Sequence, residues 1–306
     1  MRLKYLEDVQ PRNSARENGT QIIFLSSDAL STLLAGHPKV YRAVLKGRQR
    51  RTVEVATAVA LSHVPQDTIV TGENVLAFIE GSDKRDEIIV VTAHYDHIGK
   101  EGDEVYNGAD DDGSGTVALL EMAEAFMEAK RAGHGPRRSI LFMPVAGEEK
   151  GLLGSRFYSD HPVWPLENTV ANLNIDMIGR TDSAHASAPP YVYIIGSDRL
   201  SKELHAINET ANRDHVKIVL DYTFNALDDP NKFYYRSDHY NFARKGIPVI
   251  FYFSGVHEDY HGPKDEVDRI RFDLLRLRTQ LVFHTAWMLA NQDQRIVVDG
   301  ELERER

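Results

Sequence analysis

Residues 88–115, with the sequence IIVVTAHYDHIGKEGDEVYNGADDDGSG, decide the fold of this chain. The first five residues are apolar or β-branched and carry no charge, which is the pattern of a strand buried on both faces of a sheet. The glycine-rich end of the stretch leads into residues 116–130, where apolar side chains recur at helical spacing. A buried strand, a polar loop and an amphipathic helix in this order indicate an α/β fold.

The same alternation continues on both sides of this stretch. We predict further strands at residues 53–60, 74–80, 139–145, 169–175, 191–195 and 249–253, and amphipathic helices at residues 200–212 and 272–291. The sequence therefore predicts an α/β fold with a mixed, mostly parallel central sheet that is flanked by helices on both faces.

The composition excludes several classes of site and partner. The chain has 306 residues and a formal net charge of −10, and phosphate binding needs basic patches, so we expect no nucleic acid partner. No stretch approaches the roughly 20 apolar residues that span a bilayer, so we expect no membrane span. There is no cysteine, which removes disulfides, thiolate nucleophiles and cysteine-based zinc sites. Any metal must therefore be bound by histidines and carboxylates.

Histidines and carboxylates stand at four predicted strand ends and in the loop before the first predicted helix. In open α/β sheets, ligands bind beyond the carboxyl ends of the strands. The residues at these places are His94, Asp96, Asp111, Glu148, Glu149, Asp176 and His261. Each alone has an ordinary explanation, such as a helix N-cap or a solvated surface acid. Asp176 is harder to explain in this way, because a buried charge is costly unless it is paired or bound to a metal.

These residue types together predict a site for two metal ions. Carboxylates that converge on one point repel one another, and divalent cations would offset that repulsion. Histidine and carboxylate ligands without sulfur suit Zn²⁺, with Co²⁺ or Mn²⁺ as substitutes. Two metal ions about 3.5–4 Å apart are a recurrent device of hydrolytic enzymes.

Six short motifs occur along the chain in a characteristic order. They are His94-x-Asp96, Gly-Ala-Asp-Asp-Asp-Gly-Ser-Gly at residues 108–115, Glu-Glu-x-Gly-Leu-x-Gly-Ser at residues 148–155, Asp176-Met177, Ser237-Asp238-His239 and Tyr260-His261. With this combination, the chain from about residue 74 to residue 291 resembles the dinuclear zinc exopeptidase family of bacterial leucyl aminopeptidase, aminopeptidase Y and glutamate carboxypeptidase.

The resemblance implies two Zn²⁺ ions per chain and a role for each residue that binds them. His94 and Asp176 would be the terminal ligands of one ion, and Glu149 and His261 would be those of the other. Asp111 would bridge both ions. In the family this bridging aspartate often precedes a cis peptide bond, so we expect such a bond directly after it.

The resemblance also implies roles for residues that do not bind metal. Glu148 would be the general base, and Asp96 would orient His94. Tyr234 resembles a family tyrosine that hydrogen-bonds the reacting oxygen, although an aromatic residue packed under a loop is an equal alternative at this position. Asp265 belongs to a segment where many members have Thr and Ser instead, and we expect it to cap or brace that loop.

The function implied by the resemblance is a metal-dependent exopeptidase, by preference an aminopeptidase that hydrolyses the N-terminal peptide bond through a water bridged by two zinc ions. Its partner would be a peptide with a free N-terminus, and the oligomeric state stays open. One alternative is a carboxypeptidase of the same fold, for which Arg236 could face the substrate's carboxylate. Another is a glutaminyl cyclase with one zinc. A non-enzymatic relative would usually lack a ligand or the base, and none is missing here.

The domain organisation and the location follow from the same resemblance. We expect an N-terminal arm and a remnant of an accessory, protease-associated-like module in residues 1–50, a zinc peptidase domain in residues 51–295, and a charged tail in residues 296–306. Residues from 292 onward are expected to be frayed. The first residues lack the apolar core and cleavage site of a signal peptide, which leaves a cytoplasmic protein or a trimmed chain. The resemblance favours a periplasmic or secreted protein.

Overall fold

A computed structural model describes residues 27–46, 48 and 70–301 of the chain. The chain divides into two compact units, and it passes from one to the other between residues 71 and 72. The described part of the first unit contains two short helices, α1 (Ser27–Leu33) and α2 (Pro38–Leu45). The predicted strand at residues 53–60 lies outside the described residues, and the predicted domain boundaries stay a prediction.

The second unit is built on a seven-stranded sheet. Its strands are β1 (Ala77–Ile79), β2 (Lys84–His94), β5 (Arg138–Val145), β6 (Thr169–Ile175), β7 (Tyr191–Ile195), β8 (Val219–Asp221) and β9 (Val249–Phe253), and a separate hairpin contains β3 (Gly99–Glu101) and β4 (Glu104–Tyr106). The strand order is β1-β5-β2-β6-β9-β7-β8. Strands β5, β2, β6 and β9 are parallel, and only the β1–β5 and β7–β9 pairs of this sheet are antiparallel. The predicted mixed, mostly parallel sheet is confirmed.

Helices cover both faces of this sheet. One face packs against α3 (Gly113–Arg131), α5 (Lys202–Ala211) and α7 (Phe272–Asn291), and the other against α4 (Leu153–Asp160) and α6 (His239–Ala243). A π-helical turn (Asn212–Val216) follows α5, and short 3-10 helices occur at Leu166–Asn168, Ser183–His185, Thr223–Asn225, Phe233–Tyr235 and Val267–Arg269. None of the described helices combines the length and the apolar character that crossing a membrane requires.

Strand β2 shows why residues 88–91 are apolar without interruption. Ile89 and Val91 pack into the core beneath α3, α5 and α7, whereas Ile88 and Val90 pack into the core beneath α4 and α6. Successive side chains of a strand point to opposite faces, so a strand covered on both faces needs apolar residues at every position. Full burial of each such side chain stabilises the fold by about 1.5–3 kcal/mol.

The sequence located the fully buried strands and the long C-terminal helix better than the short polar elements. It predicted β6, β7, β9 and α7 with the bounds that the structure shows. It missed α4, α6, β8 and the β3–β4 hairpin, which are three to eight residues long. These short elements contain no continuous apolar run, so neither a buried-strand pattern nor a hydrophobic period marks them.

The expectation of a frayed tail from residue 292 onward is wrong for residues 295–300. Ile296 is buried in the core beneath α7. The backbone N–H groups of Asp299 and Gly300 both donate to the carbonyl oxygen of Leu200, and the guanidinium group of Arg295 donates to two backbone carbonyls. The apolar residue at position 296 outweighs the charges around it and fixes this segment to the domain.

Candidate active site

The side chains predicted to bind metal lie together at one edge of the sheet. His94 is the last residue of β2, Glu149 follows β5, Asp176 directly follows β6, and His261 lies in the loop after β9. These four strands are parallel, so their carboxyl ends share one edge. Asp111 reaches the same place from the loop before α3.

Asp111 lies between the two histidines. Its Oδ1 atom is 3.1 Å from Nε2 of His94, and its Oδ2 atom is 3.1 Å from Nε2 of His261. The terminal carboxylates complete two groups, because Oδ1 of Asp176 is 3.7 Å from Nε2 of His94, and Oε2 of Glu149 is 3.3 Å from Nε2 of His261. The structure therefore brings all five predicted ligands together, with one carboxylate shared between two imidazoles.

The carboxylates of this cluster stabilise positive charge on its imidazoles. Although burial opposes the change, contacts with Asp111 and Asp176 raise the pKa of His94 well above its usual value. Contacts with Asp111 and Glu149 raise the pKa of His261 to about 9. In return, and against the effect of burial, the contact with His261 contributes most to lowering the pKa of Glu149 to about 2. A position that stabilises positive charge in this way is suited to a divalent cation.

Several buried atoms of the cluster have no hydrogen-bond partner among the described residues. They are Nε2 of His94, Oε1 of Glu149 and both ring nitrogens of His97. Buried polar atoms in native proteins are nearly always paired, and metal ions between these nitrogens and oxygens would satisfy them. Histidine and carboxylate donors without sulfur are a ligand set of zinc. The residues present therefore fit the metal ions that the sequence predicted.

Two aspartates hold the loop that carries Asp111. Asp112 caps α3 by accepting a hydrogen bond from Gly115 N, and its carboxylate also accepts from His94 N and Met177 N. The peptide bond between Asp111 and Asp112 is cis, as the resemblance implied. Asp265 was expected to brace its own loop. Its carboxylate instead accepts hydrogen bonds from the backbone N–H groups of residues 110 and 111, so it braces the neighbouring loop.

Asp96 orients the site differently from the predicted way. Nδ1 of His94 lies 2.9 Å from the main-chain carbonyl oxygen of Asp96, whereas the carboxylate of Asp96 is 3.8 Å from that nitrogen. The carboxylate instead accepts hydrogen bonds from the backbone N–H groups of Glu148, at 3.1 Å, and Glu149, at 3.4 Å. The prediction that this side chain orients His94 therefore needs correction. The main chain of Asp96 holds the imidazole, and its side chain holds the two glutamates.

Glu148 and Glu149 are adjacent in sequence but differ in their surroundings. The carboxylate of Glu149 contacts two imidazoles. Glu148 instead lines a cavity beside the cluster, and its Oε2 atom is 3.9 Å from Nε2 of His94. Burial, followed by the nearby carboxylate of Asp176, raises the pKa of Glu148 to about 10. The two neighbours therefore differ in position and in their affinity for a proton.

The structure places Tyr234 away from this cavity. Its ring packs against His239 and Tyr240, and the guanidinium carbon of Arg199 lies 3.7 Å from the ring centre, where Tyr234 lines a different cavity. The predicted contact between Tyr234 and the reacting oxygen needs correction, and the alternative of an aromatic packed under a loop describes this position. Tyr260 lines the cavity beside the cluster instead.

The cavity also has an apolar wall and a cationic group. Phe233, Phe251, Phe253 and Val256 line it, and so does Arg236. The guanidinium carbon of Arg236 is 4.8 Å from the ring centre of Phe233. The cavity therefore brings apolar side chains and a guanidinium group next to the acidic cluster.

Sequence reasoning missed two residues that contact the predicted ligands. Ser237 donates a hydrogen bond to Asp176, and Nδ1 of His97 lies 3.0 Å from Oε1 of Glu149. A signal for His97 was available, because it stands three residues after a candidate ligand in the same strand-end loop. Ser237 lies in the Ser237-Asp238-His239 motif, but nothing in the sequence indicated its contact with Asp176, which is 61 positions away.

Comparisons with known proteins identify the family to which this chain is similar. The model of the family described as Peptidase family M28 matches residues 74–286. A probable zinc metalloprotease of Pyrenophora teres f. teres is 29% identical over 300 residues, which cover 84% of this chain and 59% of the relative. A probable leucine aminopeptidase of Arthroderma otae is 31% identical, over 71% of this chain and 57% of the relative.

The solved structures give the same picture. A zinc aminopeptidase from Bacillus subtilis superposes with a TM-score of 0.59 at 25% sequence identity, over 76% of this chain and 55% of that chain. The present chain thus spans between half and two thirds of the length of the relatives that it matches here.

Proposed function

Because the chain belongs to peptidase family M28, we propose that it is a zinc-dependent exopeptidase and, by preference, an aminopeptidase that removes the first residue of a peptide. The observation that carries this proposal is the position of Asp111. Its two carboxylate oxygens lie at equal distances of 3.1 Å from two separate histidines. A carboxylate shared in this way is placed to bridge two metal ions.

The proposed ligand sets follow from these contacts. His94 and Asp176 would hold one zinc ion, Glu149 and His261 would hold the other, and Asp111 would contribute to both. When bound, the pair of ions would supply hydroxide at neutral pH and polarise the carbonyl group of the scissile bond. The remaining steps fall to side chains that line the cavity.

Glu148 is placed to move the proton in this reaction. Its carboxylate lines the cavity and is not enclosed by imidazoles, as that of Glu149 is. The hydrogen bond from the Glu148 backbone to Asp96 fixes its position at the cavity wall. With the metal ions bound, their positive charge would lower the raised pKa of Glu148, so that its carboxylate could accept a proton from the attacking water and deliver it to the leaving amine.

Tyr260 is placed to hold the oxygen of the reacting carbonyl. It lines the cavity, and its ring stacks on that of His261 with 3.9 Å between the ring centres. Burial, and then the carboxylates of Asp111 and Asp176, raise the pKa of the Tyr260 phenol, so it stays a hydrogen-bond donor at neutral pH. This proposal gives Tyr260 the role that the sequence suggested for Tyr234.

The similarity to a probable leucine aminopeptidase and to a zinc aminopeptidase of known structure favours an aminopeptidase. Arg236 is the observation that supports the second candidate, a carboxypeptidase, since it lines the same cavity and could face an α-carboxylate. The third candidate, a glutaminyl cyclase, would need only one zinc ion. A single ion would not explain why Asp111 lies between two histidines.

One panel of substrates tests these candidates. Leucyl peptides are offered with both termini free, with an acetylated N-terminus and with an amidated C-terminus, before and after chelation and re-addition of zinc. An aminopeptidase cleaves the amidated peptide, spares the acetylated peptide and depends on the metal. The reverse preference would identify a carboxypeptidase. Cyclisation of an N-terminal glutamine with one zinc ion per chain would identify a cyclase. Cleavage that persists without metal would refute the proposal.

A further inference from the structure

His97 is a buried histidine that the proposed ligand sets leave without a role. Only 7% of its side chain is exposed, and neither ring nitrogen has a hydrogen-bond partner among the described residues. Leaving a buried polar group unsatisfied typically costs about 1–3 kcal/mol. A structure that keeps an imidazole in this state implies that something absent from the protein chain itself satisfies it.

The ring of His97 points into the cluster. Its Nδ1 atom is 3.0 Å from Oε1 of Glu149 and 3.9 Å from Oδ2 of Asp111. The Oε1 atom of Glu149 is itself buried without a hydrogen-bond partner, so the short separation does not reflect an aligned hydrogen bond. Two buried atoms that face each other in this way are better explained by a cation between them than by their own contact.

The separations between each of two imidazoles and the two carboxylates are close to those between zinc ligands. Ligand atoms at about 2.1 Å from zinc in a tetrahedral arrangement are roughly 3.4 Å from one another. The four relevant separations, which join His97 or His261 to Asp111 or Glu149, are 3.0, 3.1, 3.3 and 3.9 Å. The rings of His97 and His261 lie edge to face, 5.8 Å apart, on the two sides of these carboxylates.

The backbone makes room for this ring. Gly108 has a φ of +62°, and a Cβ atom at this position would lie 2.5 Å from Cγ of His97. Any other residue at position 108 would therefore strain the backbone and displace the imidazole. The loop that carries Asp111 thus also fixes the position of His97.

We propose that His97 is a further metal ligand, so that the ion shared by Asp111, Glu149 and His261 is bound by two histidines and two carboxylates. This inference rests on the proposed two-metal site and adds an asymmetry to it. The ion at His94 would have one imidazole ligand, whereas the ion at His97 and His261 would have two. Because imidazole favours zinc, cobalt, nickel and copper over manganese, the second position would discriminate more strongly against Mn²⁺.

Metal binding by variants of the whole chain tests the proposal without reference to activity. Zinc affinities are measured by competition with a chelator for the wild type, His97→Leu and His97→Asp. The control is His205→Leu, because His205 is a half-buried histidine outside the cluster. Loss of a ligand should lower the affinity for one of the two zinc ions by more than about 10–100-fold. That range is typical of losing a residue that only supports a ligand. His97→Asp should bind that ion more tightly than His97→Leu, because aspartate supplies a ligand oxygen near the former Nδ1 position.

Cobalt-substituted protein provides a second measurement. An imidazole bound to Co²⁺ gives a strongly shifted proton resonance from its remaining N–H group. His97→Leu should lose one such resonance, and His205→Leu should lose none.

Three results would overturn the inference. Unchanged affinities for both zinc ions in His97→Leu would show that the imidazole is not a ligand. Weaker binding by His97→Asp than by His97→Leu, with all shifted resonances retained in His97→Leu, would assign His97 a hydrogen-bonding role to Glu149 instead. A wild-type protein that binds no zinc would overturn the proposed function together with this inference, whereas the first two results leave the proposed function intact.

Discussion

The hydroxyl group of Ser237 donates a hydrogen bond of 2.6 Å to Oδ2 of Asp176. The same hydroxyl accepts a hydrogen bond from Asn174, whose side-chain oxygen accepts one from Thr92, so a chain of buried polar groups crosses the sheet behind the cluster. This leaves Oδ1 of Asp176 as the oxygen that faces His94, at 3.7 Å from its Nε2 atom. The interior of the sheet therefore selects which oxygen of Asp176 is available to a metal ion.

We expect Ser237→Ala to lower the affinity for one of the two zinc ions by about 10–100-fold, which is typical of losing a partner that orients a metal ligand. The carboxylate of Asp176 would keep its charge but lose its fixed orientation. Zinc competition with a chelator measures this change. Ser159→Ala is the control, because Ser159 is also buried and its hydroxyl donates to the backbone carbonyl of Arg156. Equal zinc affinities in both variants would contradict this account.

Glu148→Gln separates proton transfer from metal binding. The amide keeps the shape of the side chain but cannot accept the proton of the attacking water, so we expect kcat to fall by about 10²–10⁴-fold. Zinc content, measured by elemental analysis, should stay that of the wild type. Glu149→Gln, one residue along, should instead lose zinc, because its carboxylate contacts His97 and His261. Near-normal turnover in Glu148→Gln, or loss of zinc equal to that in Glu149→Gln, would refute the assignment of the base.

The sequence predicted where the site lies for a simple physical reason. His94 and Asp176 stand directly at the ends of apolar runs, and parallel strands bring such ends to one edge of a sheet. The roles of these residues, and the cis peptide bond after Asp111, came from the resemblance and not from the spacing.

The sequence could not predict contacts that depend on side-chain direction or on distant parts of the chain. Tyr234 and Tyr260 both stand beside plausible site residues, and only the turn at Phe233–Tyr235 directs the first away from the cavity. Asp265 and Ser237 support ligands that are 154 and 61 positions away. The sequence singled out both residues, but no local pattern indicates which residues they contact, because these partners are defined only once the loops have folded against each other.

A pair of stacked histidines outside the site predicts that the protein becomes less stable at acidic pH. His215, in the π-helical turn, and His284, in α7, stack with ring centres 4.0 Å apart and an angle of 7° between the rings. Burial, and then His215, lower the pKa of His284 below its unfolded value of 6.5. The unfolded chain therefore binds the proton more tightly, and stability is lost as the pH falls below about 6.5.

Thermal unfolding between pH 8 and pH 5 measures this effect as a difference between variants. Between neutral and acidic pH, the melting temperature of His284→Gln should fall less than that of the wild type, because glutamine cannot be protonated at this position. His134→Gln, at an exposed site, is the control. Parallel curves for the wild type and His284→Gln would show that the stack does not contribute.

Asp265→Asn tests whether the loop that carries Asp111 is already folded in the metal-free protein. The carboxylate of Asp265 accepts hydrogen bonds from the N–H groups of Asp110, at 3.0 and 3.1 Å, and of Asp111, at 3.1 Å. An amide has one accepting oxygen and no charge, so we expect the metal-free protein to lose about 1–3 kcal/mol of unfolding free energy. Urea unfolding with and without zinc measures this loss, and Asp268→Asn, at an exposed position in the same loop region, is the control. If metal alone organised the loop, Asp265→Asn would unfold at the wild-type urea concentration once zinc is removed.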